Sequence, residues 1–143
     1  MMIQPMHRMS LAARQNELIE GLSLIENVHE RLAALTSYVA KTRLPAELKD
    51  DALIVPGCVS RVWVLGELQD GLTRFRCEAD SPMVAGLVAV LCDLYSGALP
   101  AEAAAVEPEL WIRCGFTRIL SPTRLNGLAA VRARIRTLAQ QWS

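Results

Sequence analysis

The sequence predicts an α+β fold, with a small antiparallel sheet packed against helices on one face. Three observations predict it. A single hairpin signal spans residues 59–79. Helical apolar periodicity flanks it on both sides. Strand–helix–strand alternation, the mark of a parallel sheet, is missing. The 143 residues fit one domain, 1–143, with 1–15 as a frayed tail or a short leading helix.

From Asn16 the pattern sharpens. Leu18, Leu22, Ile25, Leu32, Leu35 and Val39 recur at three, four and seven residues. That spacing predicts one amphipathic helix ending near Thr42, with Glu26, Glu30 and Lys41 on its polar face. Pro45 stops it, and a polar connection leads to Leu53-Ile54-Val55. Residues 59–68 are rich in β-branched and aromatic types and read as a strand. Gln69-Asp70-Gly71 signals a hairpin turn. Residues 73–79 alternate, which turns Phe75, Cys77 and Ala79 toward the core.

Asp80-Ser81-Pro82 opens the next helix, with Asp80 or Ser81 as the cap and Pro82 at its first position. It is apolar nearly all round, so it is expected to be the central, most buried helix. Ser96-Gly97 ends it. Short helices follow from Leu99-Pro100 and from Glu107-Pro108-Glu109, the second stopping at Gly115. Ser121-Pro122 repeats the cap-plus-proline device before a final helix striped by Leu125, Leu128, Ile135, Leu138 and Trp142. Gly127 inside that helix costs up to ~1 kcal/mol relative to Ala, which points to close approach there. Trp63 is expected in the core.

Composition narrows the chemistry. Hydrophobic residues make up 52% of the chain, enough for a sizeable core. Lys plus Arg equals Asp plus Glu at 15 each, so no basic excess points to nucleic acid. Arg132, Arg134 and Arg136 are expected on a solvated helix face. The longest apolar run, 83–92, falls far short of the ~20 residues that span a bilayer. The first fourteen residues carry charges without an apolar core, unlike a secretory signal. The expected location is the cytoplasm, where thiols stay reduced.

Four cysteines remain to be explained: Cys58, Cys77, Cys92 and Cys114. No CxxC pair occurs, and neither histidine has ligand spacing to a cysteine, which argues against structural zinc. Cys77 and Cys92 read as buried small hydrophobes, and Cys114 as structural. Cys58 differs, because Pro56 and Gly57 fix a stiff turn before it. On the residues alone it is either a reactive thiol or a core cysteine under a loop. No base is evident for a hydrolase: His7 lies in the tail, and His29 reads as a surface residue on the first helix. Phosphate-cradle, dinucleotide, zinc-protease and serine-hydrolase motifs are missing as well.

Three blocks together carry a resemblance. Val55-Pro56-Gly57-Cys58-Val59-Ser60-Arg61-Val62-Trp63 resembles V-x-G-C-x-S-x-V-W. Ala79-Asp80-Ser81 through Val84-Ala85-Gly86-Leu87 resembles a block of A-D-S followed by (V/I)-x-G-L. Leu120-Ser121-Pro122-Thr123-Arg124-Leu125-Asn126-Gly127-Leu128 resembles L-S-P-S-R-x-N-G-L. In order and spacing these resemble the SufE/CsdE family of sulfur acceptors for cysteine desulfurases, over roughly residues 26–139. Arg61 stands where that family often has Gln or Lys, and Thr123 where it has Ser.

The resemblance implies a SufE/IscU-like fold and makes Cys58 the persulfide-carrying cysteine. It implies a sulfur-transfer accessory protein with no independent catalysis. The partner would be a cysteine desulfurase of the SufS or CsdA type, and the recipient an iron–sulfur scaffold complex. Pyridoxal phosphate would belong to the desulfurase, leaving this chain without a cofactor or metal of its own. Gly57, Ser60, Asp80 and Arg124 are the other motif residues, for turn formation or partner docking. Asp80 has a structural reading as a helix cap. Arg124 sits in a first helical turn, where the dipole disfavours a cation, and could dock the desulfurase or lie near the persulfide anion. Two alternatives stand beside this reading: an iron–sulfur scaffold on the same fold, and a thiol reductase.

Overall fold

The computed structural model describes residues 9–143. Helix α1 (Leu11–Ser23) begins on Ser10, whose hydroxyl accepts from the Ala13 N–H at 3.1 Å. Its buried positions, Leu11, Gln15, Ile19 and Leu22, form one stripe. The expected helix over 16–42 is therefore broken in two, and its first part starts five residues early. Helix α2 (Val28–Ala33) starts afresh on Asn27, whose side chain accepts from the N–H groups of His29 and Glu30. A 3-10 turn, Ala34–Tyr38, follows. Arg31 seals the break by donating to the Leu22 and Ile25 carbonyls on one side and the Cys114 carbonyl on the other. The apolar periodicity survives because both helices pack on the same core. Residues 1–8 of the expected tail, His7 among them, lie outside the described residues.

Strands β1 (Val62–Gln69) and β2 (Leu72–Ala79) pair antiparallel, Val62 opposite Ala79 and Gln69 opposite Leu72. The turn between them is Asp70-Gly71, both at positive φ (54° and 80°), the two-residue geometry that matches strand twist. Val62, Val64, Thr73, Phe75 and Cys77 are buried on the inner face, and Ala79 packs beside them. Trp63 is also buried, at 5% exposure, but on the outer face beneath the Lys49 ammonium, 4.0 Å from its ring centre. Residues 59–61 do not join β1 as expected. The ladder hydrogen bond from Val55 N–H to Val62 O (2.8 Å) closes a loop over them instead.

Helix α3 (Pro82–Tyr95) lies against the sheet and is buried continuously from Gly86 to Cys92, as its all-round apolarity predicts. Gly97 at φ 74° and Gly115 at φ 81° terminate helices in the left-handed conformation. Helices α4 (Pro100–Ala105) and α5 (Leu110–Arg113) are short. Helix α6 (Pro122–Trp142) is the longest, and Ser121 caps it by accepting from the Arg124 N–H at 3.2 Å.

The arginines of α6 are not a solvated face. Arg132 is 4% exposed, and its guanidinium donates to the carbonyls of Ala103 (2.7 Å), Ala104 (3.1 Å) and Val106 (2.8 Å). It also pairs with Glu107, which Arg136 holds from outside. The Ala103 and Ala104 carbonyls are left free where α4 ends, and a planar fork of donors suits them, while Val106 O also accepts from the Tyr95 hydroxyl at 2.6 Å. Arg134 reaches Ile54 O at 3.2 Å and so ties α6 to the segment leading into the Cys58 loop.

Candidate functional site

The Cys58 loop, residues 56–61, is held at its base, its tip and its exit. The Val55–Val62 bond closes the base. At the tip, Gly57 takes φ 94°, a region costly for residues with a Cβ. A Cβ built there would also stand 3.4 Å from Ala130 Cβ on α6. At the exit, Asp80 Oδ1 accepts from the Arg61 N–H at 3.1 Å, and the Asp80 N–H donates back to Arg61 O at 3.1 Å. The two side chains add an ion pair at 3.6 Å.

That exit corrects the capping reading. Neither Asp80 nor Ser81 places a side chain on the N-terminal N–H groups of α3. Pro82 has no N–H to offer, and Asp80 is engaged by the loop instead.

The turn directs Cys58 onto α6. Its thiol donates to Gly127 O at 3.5 Å, and a Cβ on Gly127 would stand 3.7 Å from Sγ. Gly127 thus gives the close approach that its cost within a helix signalled. Cys58 opens into a cavity of about 150 Å³ between the loop, α3 and α6. Val62, Val84, Leu87, Val88, Leu128 and Val131 make its walls apolar. Ser60, Ser121, Thr123 and Arg124 are its polar lining. Burial pushes the Cys58 thiol above its ordinary value. The Arg124 guanidinium, in the same lining, makes no hydrogen bond or ion pair with a described residue.

Four of the sequence-selected residues thus meet at one place: Gly57 forms the turn, Cys58 and Ser60 line the cavity, and Arg124 lines it from α6. Asp80 stands behind the loop as its anchor. The cavity walls from α3 and α6 went unread in the sequence. Gly127, by its cost within a helix, and Arg124, by its place in the resemblance, were the signals that joined α6 to Cys58.

The other three cysteines are buried and free, and none lines the Cys58 cavity. Cys114 lies under Arg31, with burial raising its thiol more than the Arg31 and Arg113 charges lower it. His29 is exposed at the start of α2. Among the described residues, no group of three or more His, Cys, Asp or Glu side chains is placed to hold a metal ion. No helix among them is long and apolar enough to cross a membrane.

Comparison with known proteins gives a consistent result. The family model SufE, described as an Fe-S metabolism associated domain, matches residues 16–139. An uncharacterized SufE-like protein of Synechocystis sp. is 33% identical over 85 residues, covering 59% of this chain and 54% of that protein. One from Rhizobium meliloti is 33% identical over 91 residues, covering 60% and 65%. The chloroplastic/mitochondrial SufE-like protein 1 of Arabidopsis thaliana is 27% identical over 128 residues, covering 88% of this chain and 34% of that one. The chain therefore spans less than two thirds of the length of these relatives. The solution structure of a hypothetical protein from Thermus thermophilus shares the fold, with a TM-score of 0.72 at 21% identity. The match covers 89% of this chain and 93% of that one.

Proposed function

The chain belongs to the SufE family, the domain associated with Fe–S metabolism, and on that premise we propose that it is a sulfur acceptor working through Cys58. The donor is a pyridoxal-phosphate-dependent cysteine desulfurase of the SufS or CsdA type. The recipient is an iron–sulfur scaffold complex, and the place is the cytoplasm. The observation that carries the reading is the Cys58 thiol, presented by a stapled turn into an apolar cavity beside the Arg124 guanidinium, which has no partner among the described residues.

The transfer balances without an outside oxidant. The Cys58 thiolate attacks the outer sulfur of the desulfurase persulfide. A new S–S bond forms on Cys58, the donor's S–S bond breaks, and the donor cysteine leaves as a thiolate. The proton lost by Cys58 passes to that thiolate or to water. The outer sulfur on Cys58 then carries negative charge, which the Arg124 guanidinium can offset across the cavity. Apolar walls keep water and stray thiols from it.

The attack needs Cys58 outside its cavity, where the partner can reach it. Val59, next in the chain and 85% exposed, marks the loop's outer side. The anchors on Val55 and on Arg61 leave residues 56–60 between them to turn outward as a unit.

Intact-mass measurement tests the reading. Wild-type protein incubated with a cysteine desulfurase, pyridoxal phosphate and L-cysteine gains the mass of sulfur, and Cys58→Ser gains none. Full stimulation of sulfide release by Cys58→Ser would sink the proposal.

A further inference from the structure

The cavity beside Cys58 offers its sulfur two seats of opposite character. The first is Gly127 O, which accepts from the thiol at 3.5 Å. A carbonyl oxygen can only accept, so it holds the sulfur only while the sulfur carries a proton. The second is the Arg124 guanidinium, which can only donate and has no hydrogen-bond or ion-pair partner among the described residues. Gly127 and Arg124 line the same cavity from α6. Their i, i+3 spacing puts them on one face of the helix, with Arg124 about 4.5 Å nearer its N-terminus by helix rise.

Little else around the sulfur answers to its charge. Helix α3 contributes the apolar Val84, Leu87 and Val88 to the lining. The loop and the start of α6 contribute the neutral hydroxyls of Ser60, Ser121 and Thr123. Arg61 and Asp80 are paired with each other at the loop exit, and Arg134 of α6 is taken up by Ile54 O. Arg124 is the one charged residue of the lining among the described residues.

On the acceptor reading of Cys58, we propose that Gly127 O and Arg124 form a two-position switch that senses the state of the sulfur: the carbonyl parks the protonated thiol and the guanidinium draws the anion, so that taking up sulfur frees the loop from α6. The thiolate and the persulfide anion have no proton to give Gly127 O, since that proton has gone to the departing donor thiolate or to water. Two acceptors 3.5 Å apart then face each other between apolar walls, where an unmade hydrogen bond is costly. The anion finds donors toward the N-terminus of α6, on the favourable side of the helix dipole. A hydrogen bond that only the neutral form can make also holds the empty thiol neutral, in the same direction as burial. Empty and loaded protein therefore hold residues 56–60 differently, which gives a recipient a way to tell them apart.

Hydrogen exchange and NMR on the full chain test the switch with no desulfurase present. Cys58→Asp and Cys58→Asn have nearly the same shape, but at neutral pH only the amide can donate to Gly127 O. The amides of residues 57–60 are expected to keep wild-type protection in Cys58→Asn and to lose it several-fold in Cys58→Asp, with α3 unchanged in both. Wild type loaded at Cys58 with inorganic polysulfide, at the same pH, is expected to match Cys58→Asp, with the Gly127 carbonyl resonance displaced. Arg124→Gln removes the second seat. The Cys58 ionisation midpoint, read from the thiolate absorbance missing in Cys58→Ser, is then expected to rise by roughly 1 pH unit. If Cys58→Asp does not fold, the loaded wild type decides alone. Equal loop protection in the two variants, or loaded protein with the resonances of the empty one, overturns the switch. An unmoved midpoint in Arg124→Gln overturns its second seat. Wild type that takes sulfur from polysulfide and none from a desulfurase overturns the acceptor reading instead, and the comparison of Cys58→Asp with Cys58→Asn still decides the switch.

Discussion

The Cys58 thiol donates to the main-chain oxygen of Gly127 across 3.5 Å, joining two residues 69 positions apart. The contact needs a left-handed glycine on one side and a helix position without a side chain on the other. It seats the sulfur against α6, and burial there raises the thiol.

Burial raises the Cys58 thiol, so its proton is held through neutral pH. Iodoacetamide should therefore modify Cys58 more slowly in folded than in unfolded protein at neutral pH. The difference should close as pH rises through the folded-state value. Stability follows the same sign. Cys58, Cys114 and Tyr95 are all raised in the fold, with burial the leading cause. Their contribution is complete below the unfolded-state values and is lost as pH climbs through the folded ones. Urea midpoints measured from neutral to alkaline pH should fall accordingly.

Gly127→Ala places a methyl 3.7 Å from Cys58 Sγ, an ordinary van der Waals distance. The helix should gain up to ~1 kcal/mol from the better residue, or break even. Sulfur loading of Cys58 should slow all the same, since the methyl occupies the approach to the thiol. Urea unfolding and intact-mass loading, measured side by side, check the two halves. Equal loss of stability and of loading would refute the local account.

Asp80 should act on the loop far more than on global stability. Its ion pair with Arg61 is exposed on both sides, at 69% and 43% of the side chains, and contributes roughly 0–1 kcal/mol. Asp80→Ala removes the acceptor for the Arg61 N–H, whereas Asp80→Asn keeps an oxygen there and loses only the charge. Hydrogen exchange at the Arg61 amide and alkylation of Cys58 should both speed up in Ala and change little in Asn.

Arg132→Lys keeps the charge and loses the fork. The Ala103 and Ala104 carbonyls lose their donor next to the buried face of α6, and Val106 O keeps only the Tyr95 hydroxyl. A cost of roughly 2–5 kcal/mol is expected from buried groups left unpaired. Thermal and urea unfolding measure it, and a loss below ~1 kcal/mol would contradict the hub described above.

Much of this architecture was legible because its signals are local. Asp70-Gly71 announces a tight hairpin, Ser121-Pro122 a helix start, and the 82–95 run a buried helix. The break after Ser23 was legible too, through Asn27 with Glu30 three residues on. The apolar periodicity on either side masked it. Arg132 is a different case. Its partners lie more than twenty residues upstream, and no local pattern separates a buried arginine from its exposed neighbours. The Cys58 cavity is likewise a property of three elements meeting, of which the sequence exposed Cys58, Ser60, Arg124 and Gly127 but not the apolar walls from α3.

A two-stranded sheet ordinarily presents two open edges on which another chain can add a strand. Here each edge carries a stop. Ile54 bridges the free side of β1 at Trp63, and Arg43 bridges the free side of β2 at Cys77. Arg74, Arg76 and Glu78 on β2, with Glu67 on β1, place charge along the remainder of the ribbon. A protein whose work requires one loop to swing outward toward a partner would thus keep the adjoining hairpin closed to self-association while it does so.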